Sequence, residues 1–211
     1  MEPRPAATGV AARPGERGVE VLLMRRAPAS RFAPGYVVFP GGVVDAGDEL
    51  LALRWFGDRS ERTRACAVRE LGEEARLALT ADGVRRLEPG EAIERAVDPA
   101  PPPPAALHEM ARWMAPEFLA FRFDATFYAV AVGPDAVPVP DQIEVDRAWW
   151  LRPAEALRRF PLWRELMWPT YRTLHALAGC SSVEDVLGLE VPQEPPLESL
   201  LARAVSPEWR A

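Results

Sequence analysis

Between Arg62 and Ala78 the chain places apolar side chains at Ala65, Val68, Leu71 and Ala75, and spacings of three and four bring them into one stripe of a helix. A helix with one dry stripe must lie on another layer of structure. The upstream sequence supplies that layer: "VEVLLMRRA" (19–27) and "YVVFP" (36–40) are rich in residues that suit strands, and Gly41-Gly42 ends the second run. Downstream, "ATFYAVAV" (125–132) reads as a buried strand and "VDRAWWL" (145–151) as a shorter one. Further helical patterns occur near 90–97, in "AALHEMARWM" (105–114), and after Pro153 in "PAEALRRF", "LWRELMWPTYRTLHALAG", "SVEDVLGL" and "LESLLARAV". Strands interleaved with helices make this an α/β chain.

The run "DPAPPPP" (98–104) cannot be regular helix or central strand, because successive prolines lack donors, and it is expected as a loop inside the domain. The 211 residues, 48% of them hydrophobic, are ample for one large domain. The expected organisation is a flexible segment over 1–18, a main domain over 19–157, and a helical extension over 158–211 packed on it. A net charge of -6 gives no basic footprint, so nucleic acid is not an expected partner. The two cysteines, Cys66 and Cys180, form no CxxC or Cys/His cluster, which suits a reducing cytoplasm. No apolar run has the length of a signal peptide or membrane span, so no membrane partner is expected.

Glu70, Glu73 and Glu74 lie off the apolar stripe and close to one another, an arrangement that costs a few tenths of a kcal/mol per pair unless something positive faces them. Hard cations such as Mg²⁺ or Mn²⁺ take oxygen ligands, keep several waters and share their shell with phosphate oxygens, so clustered carboxylates suit an open metal site for phosphoryl chemistry. Arg69, four residues before Glu73, is placed to fix a carboxylate rotamer. Spacing alone does not settle this, since three glutamates on a helix more often form a solvated charged face.

"GG" followed by "RELGEEARL" (69–77) resembles the box of the Nudix hydrolases, Gx5Ex7REUxEExGU, with U a bulky aliphatic residue. Gly42, Arg69, Glu70, Leu71, Glu73, Glu74 and Leu77 match it, whereas Asp48 stands at the first glutamate and Arg76 at the second glycine. The pattern would put its arginine at position 56 rather than 69, so 13 residues are inserted, in the loop expected before the helix. Upstream, "LLMRRAPASRFAPGYVVFPGG" (22–42) resembles the motif of the coenzyme A diphosphatase branch, LLTxR(S/A)x3Rx3Gx3FPGG, at every specified position except Met24.

The resemblance implies a Nudix-type α/β/α sandwich around a mixed β-sheet, with extra C-terminal helices. It also implies metal-dependent hydrolysis of the diphosphate of coenzyme A or an acyl derivative to 3',5'-ADP and 4'-phosphopantetheine. Glu70, Glu73 and Glu74 are the expected metal ligands, with Arg69 supporting them. Arg25, Arg26 and Arg31 are candidates for phosphate, and Gly41 and Gly42 for close backbone approach. The proton acceptor is expected in Glu144, with Asp146 and Glu70 as competitors. Another nucleoside diphosphate derivative, such as ADP-ribose or a dinucleotide, is the alternative substrate, and a non-catalytic ligand sensor the alternative class. Homodimerisation is left open. His108 and His175, both expected in helices, and Cys66 read as structural. Trp113, Trp149, Trp150, Trp163 and Trp168 read mainly as packing, with a base or pantetheine pocket as the alternative.

Overall fold

The computed structural model describes residues 2–30, 32–115, 117 and 122–194. In chain order the strands are β1 (Arg4–Gly15), β2 (Gly18–Arg26), β3 (Val37–Val38), β4 (Gly41–Val43), β5 (Leu77–Thr80), β6 (Gly83–Arg86), β7 (His108–Met114), β8 (Phe123–Ala131) and β9 (Val145–Leu151). The helices are α1 (Ala46–Phe56), α2 (Arg62–Ala75), α3 (Ile93–Val97), α4 (Pro153–Arg159), α5 (Trp168–Leu177) and α6 (Val183–Leu187). Seven strands form one sheet in the order β3-β2-β1-β8-β7, with β4 also paired to β1 and β9 to β2, while β5 and β6 make a separate hairpin. The sheet is mixed: β1 runs parallel to β8 from Arg4↔Phe123 to Ala12↔Ala131, and the other pairings are antiparallel.

Alternation along β2 shows why both faces need cover. Leu22 and Met24 point into a core shared with α1 and α2, while Val21 and Leu23 point into a second core with Phe160, Leu166, Leu174, Leu177 and Val186. The product is the expected α/β/α sandwich around a mixed sheet. Leu174 and Leu177 of α5 and Val186 of α6 are fully buried there, so these helices complete the fold's second layer.

Three expectations are corrected. The segment 1–18 is not a flexible lead: Arg4–Gly15 is a central strand, paired with β2, β4 and β8. Its "PAATGVAARP" lacks the usual strand composition because small residues are needed there. Ala7 and Ala11 face the helical layer, and a Cβ on Gly9 would meet the Ala67 carbonyl of α2 at 3.8 Å, so α2 sits low on the sheet. The stretch 105–114 is not a helix but ends in β7, paired with β8. A bulge between Glu109 and Ala111 buries the neighbours Met110 and Ala111 together, and this interruption of the period of two looks helical in sequence. The inserted residues do not form a loop either. Most belong to α1, whose N-cap Asp45 and N3 residue Asp48 form a capping box and whose Trp55 packs into the core. The fourth C-terminal segment, 197–205, lies outside the described residues.

Candidate active site

Close packing of α2 on β1 brings the glutamates of α2 against β4. A Cβ at Gly41 would fall 2.6 Å from the Ala7 carbonyl oxygen, and one at Gly42 would fall 2.2 Å from Glu70 Oε1. A side chain at Gly41 would therefore strike β1, and one at Gly42 would take the place that the Glu70 carboxylate occupies. The Gly41 amide donates to Glu74 Oε2 at 3.0 Å.

Arg69 organises one side of the cluster. Its Nε and Nη2 donate to the two oxygens of Asp48 at 2.8 and 3.0 Å, and its Nη1 donates to Glu70 Oε1 at 2.7 Å and Glu73 Oε2 at 2.8 Å. Asp48 is fully buried and also accepts from the Asp45 amide at 2.9 Å, so α1 delivers the carboxylate that anchors Arg69. Asp48 was visible in the sequence only as a departure from the box; its position in that pattern was the available signal.

Arg26 organises the other side. It follows Met24 onto the α2 face of β2, with Nη1 3.7 Å from Glu74 Oε1, Nη2 3.5 Å from Glu144 Oε2, and Nε donating to the Phe32 carbonyl at 2.8 Å. Arg25 alternates to the opposite face, where its Nε donates to Asp146 Oδ1 at 2.8 Å. The structure therefore brings Glu70, Glu73, Glu74, Glu144, Arg26, Arg69, Gly41 and Gly42 into one region and leaves Arg25 with Asp146 outside it. Arg31 lies outside the described residues.

The electrostatics explain the cost of this arrangement. Burial, with the neighbouring Glu70 charge second, pushes Glu74 up to about 8, against the lowering by the Gly41 amide and Arg26. Burial also pushes Glu70 up to about 7, although Arg69 pulls it down, and both feel Glu144. Glu74 Oε1 is buried without a hydrogen-bond partner. A buried carboxylate oxygen left so, beside a second carboxylate of high proton affinity, fits a hard cation that supplies the missing positive charge. Among the described residues, no three His, Cys, Asp or Glu side chains converge tightly enough for a metal ion as they stand.

The remaining candidates lie elsewhere or are inert. Burial first, then the Asp48 charge, pushes the Cys66 thiol far above its usual range, so it is no nucleophile. His108, expected on a helix, stands exposed on β7, and His175 is exposed on α5. Trp113, Trp149 and Trp168 belong to the second layer, where Trp163 stacks on Trp168 with centroids 6.2 Å apart, and Trp150 packs in the first core. Arg76 takes a left-handed conformation at the end of α2, φ 57°, the geometry for which glycine is favoured, and its Nη1 donates to the Glu91 carbonyl at 3.1 Å.

The family model described as the NUDIX domain matches residues 2–174. A crystal structure of a NUDIX hydrolase from Alicyclobacillus acidocaldarius superposes with a TM-score of 0.75 at 27% identity, covering 92% of this chain and 99% of that one. RenU, a Nudix hydrolase of M. smegmatis, shares the fold with a TM-score of 0.51 at 17% identity, covering 92% of this chain and 90% of its own. The human acyl-coenzyme A diphosphatase NUDT19 is 26% identical over 82% of this chain, and the match spans 64% of the human protein's length. No described helix is long and apolar enough to cross a membrane.

Proposed function

The chain belongs to the Nudix family, and from that premise we propose that it hydrolyses the diphosphate of coenzyme A or an acyl derivative, releasing 3',5'-ADP and (acyl-)4'-phosphopantetheine. The observation that carries diphosphate chemistry is Glu74 with Glu70, buried carboxylates of high proton affinity lying on the Gly41-Gly42 strand. The coenzyme A assignment draws on the motif from Leu22 to Gly42 and on the activity in the human relative's name.

Glu70, Glu73 and Glu74 would hold Mg²⁺ or Mn²⁺, which when bound neutralises charge on the diphosphate and makes phosphorus easier to attack. Asp48 clamps Arg69, and Arg69 in turn sets the rotamers of Glu70 and Glu73. Arg26 presents its guanidinium at the same place, and its Nη groups can pass from the carboxylates to phosphate oxygens when substrate arrives. Arg31 is assigned to phosphate on the motif alone. Glu144, with its side chain 61% exposed, accepts the proton of the attacking water as the new P–O bond forms and the bridging P–O bond breaks. Glu70 is the weaker candidate for that role, since Arg69 already occupies its Oε1.

The test is mass spectrometry of products from coenzyme A, Mg²⁺ and ¹⁸O-enriched water. The expected products are 3',5'-ADP and 4'-phosphopantetheine, with the label on the phosphorus that water attacked. Intact coenzyme A with either metal, beside cleavage of ADP-ribose or a dinucleotide, would remove the substrate assignment and keep the hydrolase.

A further inference from the structure

Glu144 stands in a connection between β8 and β9 that has little regular structure, yet both of its main-chain polar groups are held. Its carbonyl accepts from the Ala27 amide at 2.8 Å and from Ser30 Oγ at 2.9 Å. Its amide donates to Asp141, whose Oδ1 lies 2.9 Å from the Ile143 nitrogen, 3.0 Å from that of Glu144 and 3.0 Å from that of Val145. One carboxylate oxygen thus gathers three successive amides. Between them Gln142 adopts a left-handed φ of 66°, with its amide donating to the Val145 carbonyl at 2.9 Å. A non-glycine residue in that region costs about 1 kcal/mol or more, so the turn persists because something holds it.

We propose that Asp141 is a positioning residue for Glu144: its carboxylate folds residues 142–145 into a tight nest that fixes where the Glu144 side chain starts. The proposal rests on the reading of Glu144 as proton acceptor. An exposed glutamate side chain has ample rotamer freedom, and its reach to Arg26 and the α2 carboxylates depends on the origin of its Cα–Cβ bond. The two anchors act from opposite sides. Ala27 and Ser30 tie the carbonyl to the segment that follows Arg26, and Asp141 ties the amide. Without Asp141 the amides of Ile143, Glu144 and the buried Val145 all lose their acceptor, and the turn is left to the carbonyl anchor and the Gln142–Val145 hydrogen bond. No oxygen of Asp141 needs to touch substrate for this role.

The experiment compares Asp141→Ala, Asp141→Asn, Glu144→Gln and the double variant Asp141→Ala/Glu144→Gln in the full chain, with coenzyme A and, in parallel, ADP-ribose as substrates with Mg²⁺. Asp141→Ala should lower kcat on the order of 10- to 100-fold with KM changed by less than about threefold. Asp141→Asn, which keeps an acceptor oxygen, should recover most of that loss. Amide exchange at Ile143, Glu144 and Val145, followed by NMR without metal or substrate, should accelerate in the alanine variant and stay slow in the asparagine variant. The double variant should be no slower than Glu144→Gln alone. If Asp141→Ala costs the same factor in the Glu144→Gln background, Asp141 does not act through Glu144 and the proposal falls. Wild-type turnover in Glu144→Gln would instead remove the proton-acceptor reading, and with it the catalytic meaning of a nest that amide exchange still detects.

Discussion

The two faces of the central sheet are both covered by helices, but they meet their cover in opposite ways. On the C-terminal side, Val10, Val21, Leu23, Phe127, Leu174 and Leu177 interlock in a dry layer whose job ends with burial. On the α2 side, the core of Ala7, Ala11, Leu22, Leu71 and Ala75 gives way at one end to Glu70, Glu74, Arg26, Arg69 and Asp48. Small side chains on β1 let α2 lie close, and the missing side chain of Gly42 leaves the space that the Glu70 carboxylate fills. One face therefore supplies stability, and the other holds groups that burial disfavours, a contrast expected where a site is built at a cost to the fold.

The strongest way to break this contrast is to neutralise Glu74. Glu74→Gln should lower kcat on the order of 10²–10³-fold or more, because a ligand carboxylate is lost. The same change should leave the fold intact and raise the Tm of metal-free protein, since an amide replaces a group that burial penalises. A variant that unfolds would mean that the carboxylate is structural. Retained turnover in both Glu74→Gln and Glu73→Gln would sink the metal assignment. On the other face the signs reverse: Leu174→Ala should cost about 2–5 kcal/mol of stability, read by denaturant unfolding, while kcat of the folded enzyme stays near wild type.

How these regions could be read from sequence differs for the same reason. The stripe of α2 and the strands β2, β8 and β9 follow periodicities that burial enforces, so Leu22, Leu71 and Phe127 announce their faces. The box glutamates were legible through the match of "RELGEEARL" to the Nudix box, since like charges on one helix face raise the question of a partner without answering it. By contrast, β1 was illegible because the residues it turns to α2, Ala7 and Ala11, are small and carry no strand signature. The bulge at Met110 broke the alternation of β7, and α1 hid in an insertion without a homologous template in the motif. Arg26 stands at a specified position of the upstream motif and Arg25 at the open position before it, but only their places in the sheet show what each side chain faces. Their opposite orientations come from pairing in the sheet, which puts one beside Glu74 and the other beside Asp146.

The electrostatic side of the contrast should appear in a pH series of metal-free protein. The carboxyls of Glu70 and Glu74, lifted to about 7 and 8 from an ordinary 4.5, hold protons in the folded state that the unfolded chain has released. Between about pH 4.5 and 8 the folded state then binds more protons, so stability falls as pH rises through this window. The Tm in EDTA should decline from pH 5 to 8 by several degrees, and saturating Mg²⁺ should flatten the slope, because cation binding favours the charged carboxylates. Glu74→Gln should reduce the slope without metal. A Tm that rises over the same range in EDTA would show that the arginines, rather than protons, balance these charges.

The smallest expected effect separates neighbouring residues. Arg25 occupies the open position beside the motif's Arg26, faces away from Glu74 and spends its guanidinium on Asp146 in a pair that solvent reaches. Such a pair contributes about 0–1 kcal/mol, so Arg25→Ala should barely move the Tm. With Arg26 rather than Arg25 at the carboxylates, the same variant should leave KM for coenzyme A within about twofold, whereas Arg26→Ala should raise it clearly by removing a phosphate donor. Steady-state kinetics of the two variants side by side decide the matter. A tenfold or larger rise in KM for Arg25→Ala would mean that substrate draws Arg25 away from Asp146 and around the edge of β2, and the division between a structural face and a reactive face would then end one residue earlier than its hydrogen bonds indicate.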